Sequence, residues 1–304
     1  MAGDQRISID KDFVVAENGP LHLVIRAWSH DEFQMEAALE AARFAFACLE
    51  QVAQDLPELK QLPSESRFCP TDPVPKAMVN SVLRLGDSSL TPMASVAGAI
   101  ADGVADFLLD RGCTRVIVDN GGDLAIRLLQ GETARVGLRP DLTSPKLSHI
   151  LELDGRFPSY GVNTSGLGGR SFTTGIATAA TVLARTSVLA DAAATSVANA
   201  CFVPDPQIVQ IPAGRLSPDT DIPGVPVTVQ VGPLPPAIVE EALSRSLALA
   251  LDYAAQNLIF GAFIAAGGQW VKTVPFQAGR ILPVNDSGTW VRKKQQTQDT
   301  YEIL

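Results

Sequence analysis

One stretch decides the fold of this chain: NTSGLGGRSFTTGIATAATVLARTSVLADAAATSVANA, residues Asn163–Ala200. It predicts three consecutive parts. The first is a loop rich in glycine and hydroxyl residues over 164–174, and the second is a short apolar strand over Ala179–Ala184. The third is a helix from about Val188 to Asn199. The stretch therefore brings a loop rich in backbone N–H groups towards the start of a helix.

The predicted helix carries a carboxylate and a hydroxyl on one face. Thr186 or Ser187 is placed to accept a hydrogen bond from the first free amides of the helix. Asp191 and Thr195 are four residues apart, so they lie one turn above each other. Facing the loop, this pair could hold a cation together with an anionic ligand.

A structural explanation of the same helix is equally simple. An acidic residue in the first turn stabilises a helix by about 0.3–1 kcal/mol, because its charge opposes the helix dipole. An alanine run such as Ala192–Ala194 is typical of close helix packing. Taken alone, the stretch favours this structural explanation over a ligand site.

The glycine-rich loop does not match the familiar phosphate-binding signatures. Residues 166–171, GLGGRS, lack the third glycine of G-x-G-x-x-G, and a strand follows them rather than a helix. The P-loop pattern G-x-x-x-x-G-K-[ST] is absent from the sequence. A nucleotide site in this region would have to be of another kind.

Composition limits the class of protein. The chain has 304 residues, of which 46% are hydrophobic and 19% charged, so it can bury a large core. The net charge of −9 argues against a general nucleic-acid binder. The first residues have no basic and apolar leader, so we expect a cytoplasmic protein. Four scattered cysteines without C-x-x-C indicate buried thiols in a reducing compartment.

The longest apolar region, Leu247–Gly268, is interrupted by Asp252, Gln256 and Asn257. These polar residues predict a core helix rather than a membrane span. No membrane association is expected.

The remaining segments mix strands and helices. Strands are expected over 13–15, 21–28, 115–119, 124–128, 207–211 and 226–231, and helices over 31–54, 92–112, 236–253 and 254–266. Residues 63–75 are predicted to be an ordered connection. Because strands and helices do not alternate regularly, their order favours an α+β fold.

Two local signals stand out in this order. Thr91-Pro92 is typical of a helix start, with Thr91 as the N-cap residue, and Gly112 suits the end of the same helix. Asn120-Gly121-Gly122-Asp123 between apolar runs predicts a hairpin turn. The same two glycines, flanked by carboxylates, also form a bare backbone edge that can receive a flat ring or a phosphate.

The histidines exclude several chemistries. His22, His30 and His149 are the three in the chain, and none lies beside a motif. A Ser-His-Asp or Cys-His hydrolase would need one of them brought in from elsewhere, and zinc has too few ligands. What remains is hard-cation chemistry, with oxygen ligands, Mg²⁺ and a phosphate-bearing partner.

Five sequence blocks occur in an order that resembles the ApbE superfamily of FAD:protein FMN transferases. The resemblance covers about residues 10–268 and is to a small uncharacterised branch. The blocks are LTPMASVAGAIAD (Leu90–Asp102), VDNGGDLAI (Val118–Ile126), NTSGLGGRSFTTG (Asn163–Gly175), LADAAATSVAN (Leu189–Asn199) and TVQVGPL (Thr228–Leu234).

The resemblance implies an α+β, T-fold-like architecture of mixed sheets with packed helices, in two lobes around a central pocket. It implies one domain of two intertwined lobes over residues 1–283, followed by a polar tail over 284–304.

The resemblance also implies site residues. The family's Ala-Asp-Ala-x-x-Thr segment holds Mg²⁺ through its carboxylate and hydroxyl, which assigns metal binding to Asp191 and Thr195. Its Gly-Gly turn near the flavin, either FAD or FMN, matches Gly121 and Gly122. Its Thr-Ser-Gly segment matches residues 164–166: Thr164, Ser165 and Gly166. Where the transferases have a His-Ile-x-Asp-Pro stretch, this chain has RSFTTG over 170–175.

Three hypotheses follow. The first is an ApbE-like protein that binds a flavin or related nucleotide with Mg²⁺, with transfer of FMN from FAD to a hydroxyl of a flavoprotein acceptor as its reaction. The second is a hydrolase or lyase for a small heterocyclic metabolite, with Asp123 or Asp191 as base and the loop 164–171, including Gly168, Arg170 and Ser171, as anion cradle. The third is a non-catalytic flavin-binding protein. A homodimeric state is left open.

Overall fold

The computed structural model describes residues 5–65, 67–141, 144–274, 276 and 278–284. Helices and strands follow one another without regular alternation, as predicted for an α+β fold. The helices are α1 (Met35–Gln54), α2 (Leu56–Leu59), α3 (Pro73–Leu85), α4 (Val96–Leu109), α5 (Ser187–Ala200) and α6 (Pro236–Ala255), with 3₁₀ helices at Pro92–Ser95 and Ala213–Arg215.

Antiparallel strands form three sheets. The strands are β1 (Arg6–Ile9), β2 (Val14–Asn18), β3 (Leu21–Ser29), β4 (Glu32–Phe33), β5 (Arg115–Asp119), β6 (Leu124–Leu128), β7 (Thr133–Leu138), β8 (His149–Asp154), β9 (Ser159–Ser165), β10 (Ala179–Ala184), β11 (Ile208–Pro212), β12 (Pro226–Val231), β13 (Ile259–Ala266), β14 (Gln269–Lys272) and β15 (Arg280–Pro283). A ten-stranded sheet runs β1-β2-β3-β5-β6-β9-β10-β13-β14, with β4 paired to β3. A three-stranded sheet, β15-β8-β7, and the hairpin β11-β12 complete the set.

The helices cover one face of the large sheet in two groups. Helices α1 and α4 pack on β2, β3 and β5, where alternate residues such as Leu23, Ile25 and Ala27 are fully buried. Helices α5 and α6 pack on β10 and β13. A third apolar core lies on the other face of the sheet, between β6, β9, β13 and the strands β7 and β8. The mixed α+β architecture with packed helices is therefore confirmed. Its two halves, one containing α1 and α4 and the other containing α5 and α6, share one sheet.

The two halves meet where α4 packs on α5. At Gly98, an added Cβ would lie 2.4 Å from the backbone oxygen of Ser187 and 2.9 Å from Cβ of Asp191. At Gly161 on β9, an added Cβ would lie 2.3 Å from Cα of Ser187. Backbone therefore touches backbone at this crossing, and the small residues near the start of α4 are explained by helix packing.

The prediction of a helix over 254–266 is wrong. Helix α6 ends at Ala255, and residues Ile259–Ala266 form β13 in the large sheet. Asn257 has φ +58°, a left-handed conformation that stops the helix, and the N–H of Leu258 closes the end on the carbonyl of Tyr253. All eight residues of β13 are buried, so its continuous apolar run lacks the alternation that would reveal a strand.

Two helices in the N-terminal half of the chain, α1 and α4, have boundaries that differ from the prediction. Helix α1 begins at Met35, because residues 32–33 pair with β3 as β4 after His30 takes φ +58°. The helix predicted from Thr91 is a 3₁₀ turn followed by α4, and it ends at Leu109 before Gly112, which has φ +84° as expected. The hydroxyl of Thr91 donates to Asp221 rather than capping the helix.

The prediction did not include several elements. These are α2, α3 and the strands β1, β4, β7, β8, β9, β14 and β15. The predicted connection over 63–75 ends early, since Pro73 already begins α3. Cys69 is exposed, whereas Cys48, Cys113 and Cys201 are buried as expected. Of the predicted tail over 284–304, all residues beyond 284 lie outside the described residues, and the single-domain assignment stays a prediction.

One segment, Pro92–Leu109, is long and apolar enough by length and composition to cross a membrane. Inside the fold, 56% of it is buried, as is common for the core helix of a globular domain.

Candidate functional site

Two carboxylates meet where the β5–β6 turn, the end of β9 and the starts of α4 and α5 come together. Asp123 closes the turn, and Asp191 lies in the second turn of α5. Burial first, and then the charge of the neighbouring Asp123, raise the pKa of Asp191. The structure therefore brings together the two residues that the sequence predicted as catalytic.

Asp123 is held by a hydrogen-bond chain that begins in α5. The hydroxyl of Ser187 donates to the side-chain carbonyl of Asn163 at 3.0 Å, and the Asn163 amide donates to Asp123 at 3.0 Å. The backbone N–H of Thr164 also donates to Asp123. Because Ser187 and Asn163 are fully buried, the Asn163 amide has one orientation, with its NH₂ group towards the carboxylate.

Asp191 faces the N-terminus of α4. Its carboxylate accepts the N–H of Gly98 at 2.9 Å and also the N–H of Ala97. The sequence predicted that Asp191 faces the loop 164–174, whereas the hydrogen bonds that the structure shows for its carboxylate come from the start of α4. These contacts arise because Gly98 lets α5 approach the start of α4 within backbone contact.

The capping of the two helices is reciprocal. Asp102 of α4 accepts the N–H of Val188 at 2.8 Å and that of Ser187, the first amides of α5. Neither Thr186 nor Ser187 caps α5 with its side chain, contrary to prediction. Asp191 of α5 caps α4 in the same way, so the first N–H groups of each helix are bound by a carboxylate of the other helix.

The two capping carboxylates differ in their charge partners. Asp102 lies 2.8 Å from the guanidinium of Arg127, which also binds Asp106 at 2.7 Å. Asp191 has no ion pair among the residues that the structure describes. The carboxylate of Asp102 therefore has a cation partner, which comes from β6, whereas the carboxylate of Asp191 lies beside a second carboxylate, that of Asp123.

Burial dominates the protonation of this pair. Burial, aided by the charge of Asp119 and opposed by the Asn163 hydrogen bond and by Arg170, raises the pKa of Asp123 to about 7. Burial and then the charge of Asp123 raise the pKa of Asp191 well above its usual range. Two half-buried neighbouring carboxylates with raised pKa values favour either a bound proton or a bound cation.

The Gly121-Gly122 turn is a hairpin turn, as predicted, with both glycines at positive φ of 70° and 104°. The N–H of Gly122 donates to Asp119 at 2.7 Å, and an added Cβ on Gly122 would meet open space. On Gly121, an added Cβ would lie 1.9 Å from Nη2 of Arg170. Arg170 thus covers the Gly121 side of the turn.

The Thr-Ser-Gly segment is part strand and part loop. Thr164 and Ser165 end β9, and the loop begins only at Gly166, so its predicted start is wrong. The hydroxyl of Thr164 lies 2.8 Å from that of Thr181 on β10. Ser165 is buried with its hydroxyl unpaired within the described part of the chain. Gly166 has φ +146°, and an added Cβ there would lie 2.8 Å from a backbone oxygen.

The rest of the predicted loop lies farther out. Gly168, Arg170 and Ser171 are exposed. Thr195 is half-buried one turn beyond Asp191, and its hydroxyl has no hydrogen bond to any described residue. The turn, the end of β9 and Asp191 therefore form one site, while Ser171 stands at its margin.

The donor set fits Mg²⁺ when a ligand completes it. Among the described residues, no cluster of three or more His, Cys, Asp or Glu side chains could hold a metal ion. Mg²⁺ commonly binds one or two protein carboxylates together with waters and substrate phosphates. Asp191 accepts two backbone N–H groups, those of Gly98 and Ala97, out of about four acceptor positions on a carboxylate. Thr195 adds a hydroxyl on the same helix face.

A shallow cavity of about 470 Å³ lies between β1 and α1, away from this site. It contains no predicted site residue; its lining is Gln5, Ile7, Arg43, Phe46, Ala47 and Glu50.

Sequence reasoning missed the residues that support the site from a distance. Asn163, Ser187, Asp102 and the amides of Ala97 and Gly98 come from separate segments. Asn120 is also buried, with its side-chain oxygen unpaired among described residues and its NH₂ on the carbonyl of Ala97. Residues 97–102 and 163 lie within the sequence blocks Leu90–Asp102 and Asn163–Gly175. This position is the one signal that could have indicated their role at the site.

This fold and this site define the class of protein. The chain belongs to the family described as AbpE bacteria, which matches residues 5–272. It is an ApbE-like protein, as the sequence blocks predicted. It is similar to the UPF0280 protein of Methanothrix thermoacetophila, with 33% identity over 187 residues, 59% of this chain and 72% of that protein. A UPF0280 protein of Methanoregula boonei is 35% identical over 172 residues, 55% of this chain and 70% of that protein.

A solved structure supports the same architecture. The flavinyl transferase ApbE of Pseudomonas stutzeri, in its apo form, superposes with a TM-score of 0.50 and 16% sequence identity. The match covers 90% of this chain and 95% of that one. At this identity the likeness concerns the fold.

Proposed function

We propose that this protein binds a flavin nucleotide together with Mg²⁺ and transfers FMN from FAD to a hydroxyl of a protein acceptor. The observation that supports this is the half-buried pair of Asp123 and Asp191, which has no ion-pair partner among the described residues and lies beside the Gly121-Gly122 turn. A cation with a phosphate-bearing ligand would satisfy this pair.

Each group has a separate role in the proposal. Asp191 and Thr195 would hold Mg²⁺, which would supply positive charge beside the pyrophosphate of a bound ligand. The Gly121-Gly122 turn and the Thr164–Gly166 segment provide backbone and hydroxyl groups for the nucleotide. Asp123, with a pKa of about 7, accepts a proton near neutral pH, which suits a general base.

The proposed transfer forms one P–O bond and breaks another. The acceptor hydroxyl oxygen forms a bond to the phosphorus of the FMN part of FAD. The bond from that phosphorus to the oxygen bridging to AMP breaks, and AMP leaves with that oxygen. The hydroxyl proton passes to the carboxylate of Asp123, which the amide of Asn163 holds at 3.0 Å.

The binding half of the proposal is tested by titration calorimetry of FAD and ADP with and without Mg²⁺. Asp191→Asn keeps the shape but removes the charge that a hard cation requires, so Mg²⁺-dependent affinity should fall at least about tenfold, or about 1.4 kcal/mol. The matched control is Asp252→Asn, an exposed change on α6. Equal affinity of Asp191→Asn and wild type would refute the metal site.

The transfer half is tested by release of AMP from FAD in the presence of a threonine-bearing flavoprotein acceptor. Mass spectrometry of the small molecules released by heat denaturation of the purified protein identifies the bound ligand. Flavin binding without AMP release would favour a non-catalytic flavin-binding protein.

A second candidate function rests on Asp123 itself. A carboxyl with a pKa of about 7 can serve as general base for a hydrolase or lyase acting on a small heterocyclic metabolite. Turnover of a small amide or lactone that persists in EDTA and is lost in Asp123→Asn would support this candidate over FMN transfer.

A further inference from the structure

Arg170 links two turns that belong to different hairpins. Its Nη2 donates to the backbone carbonyl of Asn120 at 2.9 Å, and its Nη1 donates to that of Pro20 at 3.4 Å. Asn120 opens the β5–β6 turn, and Pro20 lies in the β2–β3 turn. The guanidinium lies so close over Gly121 that an added Cβ there would be 1.9 Å from Nη2. The Gly121 face of the site is therefore covered by a side chain from the opposite loop.

The loop that carries Arg170 is fixed at both ends and glycine-rich between them. At one end the N–H of Leu167 donates to Ala177 at 2.8 Å. At the other, the hydroxyl of Thr173 donates to Asn199 at 3.1 Å. Between these anchors Gly168 has φ +85°. Residues 168–172 can change conformation while the ends stay in place, because glycine rotates freely about its backbone bonds.

The second anchor is reinforced by the β11–β12 hairpin. The N–H of Thr228 donates to Thr173 at 2.8 Å, and Gln210 donates to the carbonyl of Thr174 at 2.7 Å. These contacts give the block Thr228–Leu234 a structural role in holding the loop. Any change in the conformation of this loop would therefore be confined to residues 168–172.

The hydrogen bonds of Arg170 are incomplete for a guanidinium. It donates to two carbonyl oxygens, although it has five N–H groups, and its side chain is exposed. Planar, bidentate donation to phosphate or carboxylate is the strongest use of this group. Carbonyl oxygens thus take the place that an anion would fill better.

We propose that Arg170 is a latch over the Gly121 face of the site and selects ligands that carry a phosphate. This rests on the proposed function in taking a flavin as the ligand. A flavin ring that reaches the Gly121-Gly122 turn must displace the guanidinium of Arg170 and break its two hydrogen bonds. A ligand phosphate replaces those bonds, whereas an unphosphorylated flavin leaves them unreplaced. Arg170 therefore favours FMN over riboflavin.

The latch is tested in the free protein by hydrogen–deuterium exchange. In Arg170→Ala, amides of residues 121–122 and 168–172 should exchange at least about threefold faster than in wild type. Arg156→Ala is the matched control, since Arg156 is exposed and pairs with Asp154. Unchanged amide exchange in Arg170→Ala would overturn the latch, regardless of the result of the flavin titrations.

The selection is tested by titration calorimetry of FMN and riboflavin against wild type, Arg170→Ala and Arg170→Lys. Wild type should bind FMN at least about tenfold more tightly than riboflavin, and Arg170→Ala should reduce this ratio to within about threefold. Arg170→Lys should lie between, because lysine keeps the charge but not the planar fork. The same ratio in all three proteins would overturn the selection while leaving flavin binding in place. If neither flavin binds any of the proteins, the proposed function and the selection are refuted, and the exchange data alone decide the latch.

Discussion

Replacing Asp123 by Asn should change how the stability of the ligand-free protein depends on pH. Burial raises the pKa of Asp123 to about 7, from an ordinary value of 3.8. A carboxyl whose pKa is raised in the folded state binds its proton more tightly folded than unfolded. Its contribution to stability is complete below the unfolded pKa and is lost as pH rises through the folded pKa. Wild type should therefore lose stability between about pH 4 and pH 7 through this group.

The magnitude follows from the size of the shift. A shift of roughly three units, at about 1.4 kcal/mol per unit, gives an upper bound of about 4 kcal/mol. Partial access of solvent to Asp123 reduces this bound. Asn keeps an acceptor for the Asn163 amide and carries no charge at any pH, so Asp123→Asn should not show the loss.

The assay is urea unfolding in EDTA at pH 5 and pH 8. The difference in unfolding free energy between Asp123→Asn and wild type should move in favour of the variant by about 1–3 kcal/mol between these pH values. Asp12→Asn, at an exposed position, changes the net charge equally and should show no such movement. A difference that is the same at both pH values would refute the raised pKa.

Two further predictions concern the packing and charges beneath the site. Gly98→Ala should cost roughly 1–3 kcal/mol, because its Cβ would lie 2.4 Å from the backbone of Ser187. In the same helix, the added Cβ of Gly103→Ala would lie 3.6 Å from its nearest neighbours, so this variant should be stabilised by about 0.5–1 kcal/mol. If thermal unfolding shows the same change in stability for both variants, the packing argument is contradicted. Arg127→Met should cost about 3–5 kcal/mol by leaving Asp102 buried without its cation. Adding Asp102→Asn should recover part of that loss in chemical denaturation, and no recovery would show that the charge is not the cause.

Local sequence signals predicted the elements that local interactions determine. The Asn120–Asp123 turn and strand β10 lie where the turn chemistry and apolar pattern placed them. Helix α5 and the i, i+4 spacing of Asp191 and Thr195 also follow from local pattern. The α+β class followed from the irregular order of these elements.

What the sequence did not predict depends on contacts between distant segments. The partner of Asp191 is an amide 93 positions away, and no periodicity links the two. Asn163 is positioned by Ser187, 24 residues later, through side chains that look like ordinary polar residues of a strand and a helix. Strand β13 resembles a continuation of α6 because a strand buried on both faces loses its period of two. Tertiary burial decided these cases, and it is not encoded in a local window.

The reciprocal caps of α4 and α5 also bear on folding cooperativity. Each half of the molecule supplies the carboxylate that satisfies the first amides of the other half's helix. Unfolding of either half would leave the remaining helix with orphaned N–H groups. Its own capping carboxylate would also lose the amides to which it is hydrogen-bonded. Neither half can therefore persist alone at low cost, and the two cores on the shared sheet should melt as one unit rather than in succession.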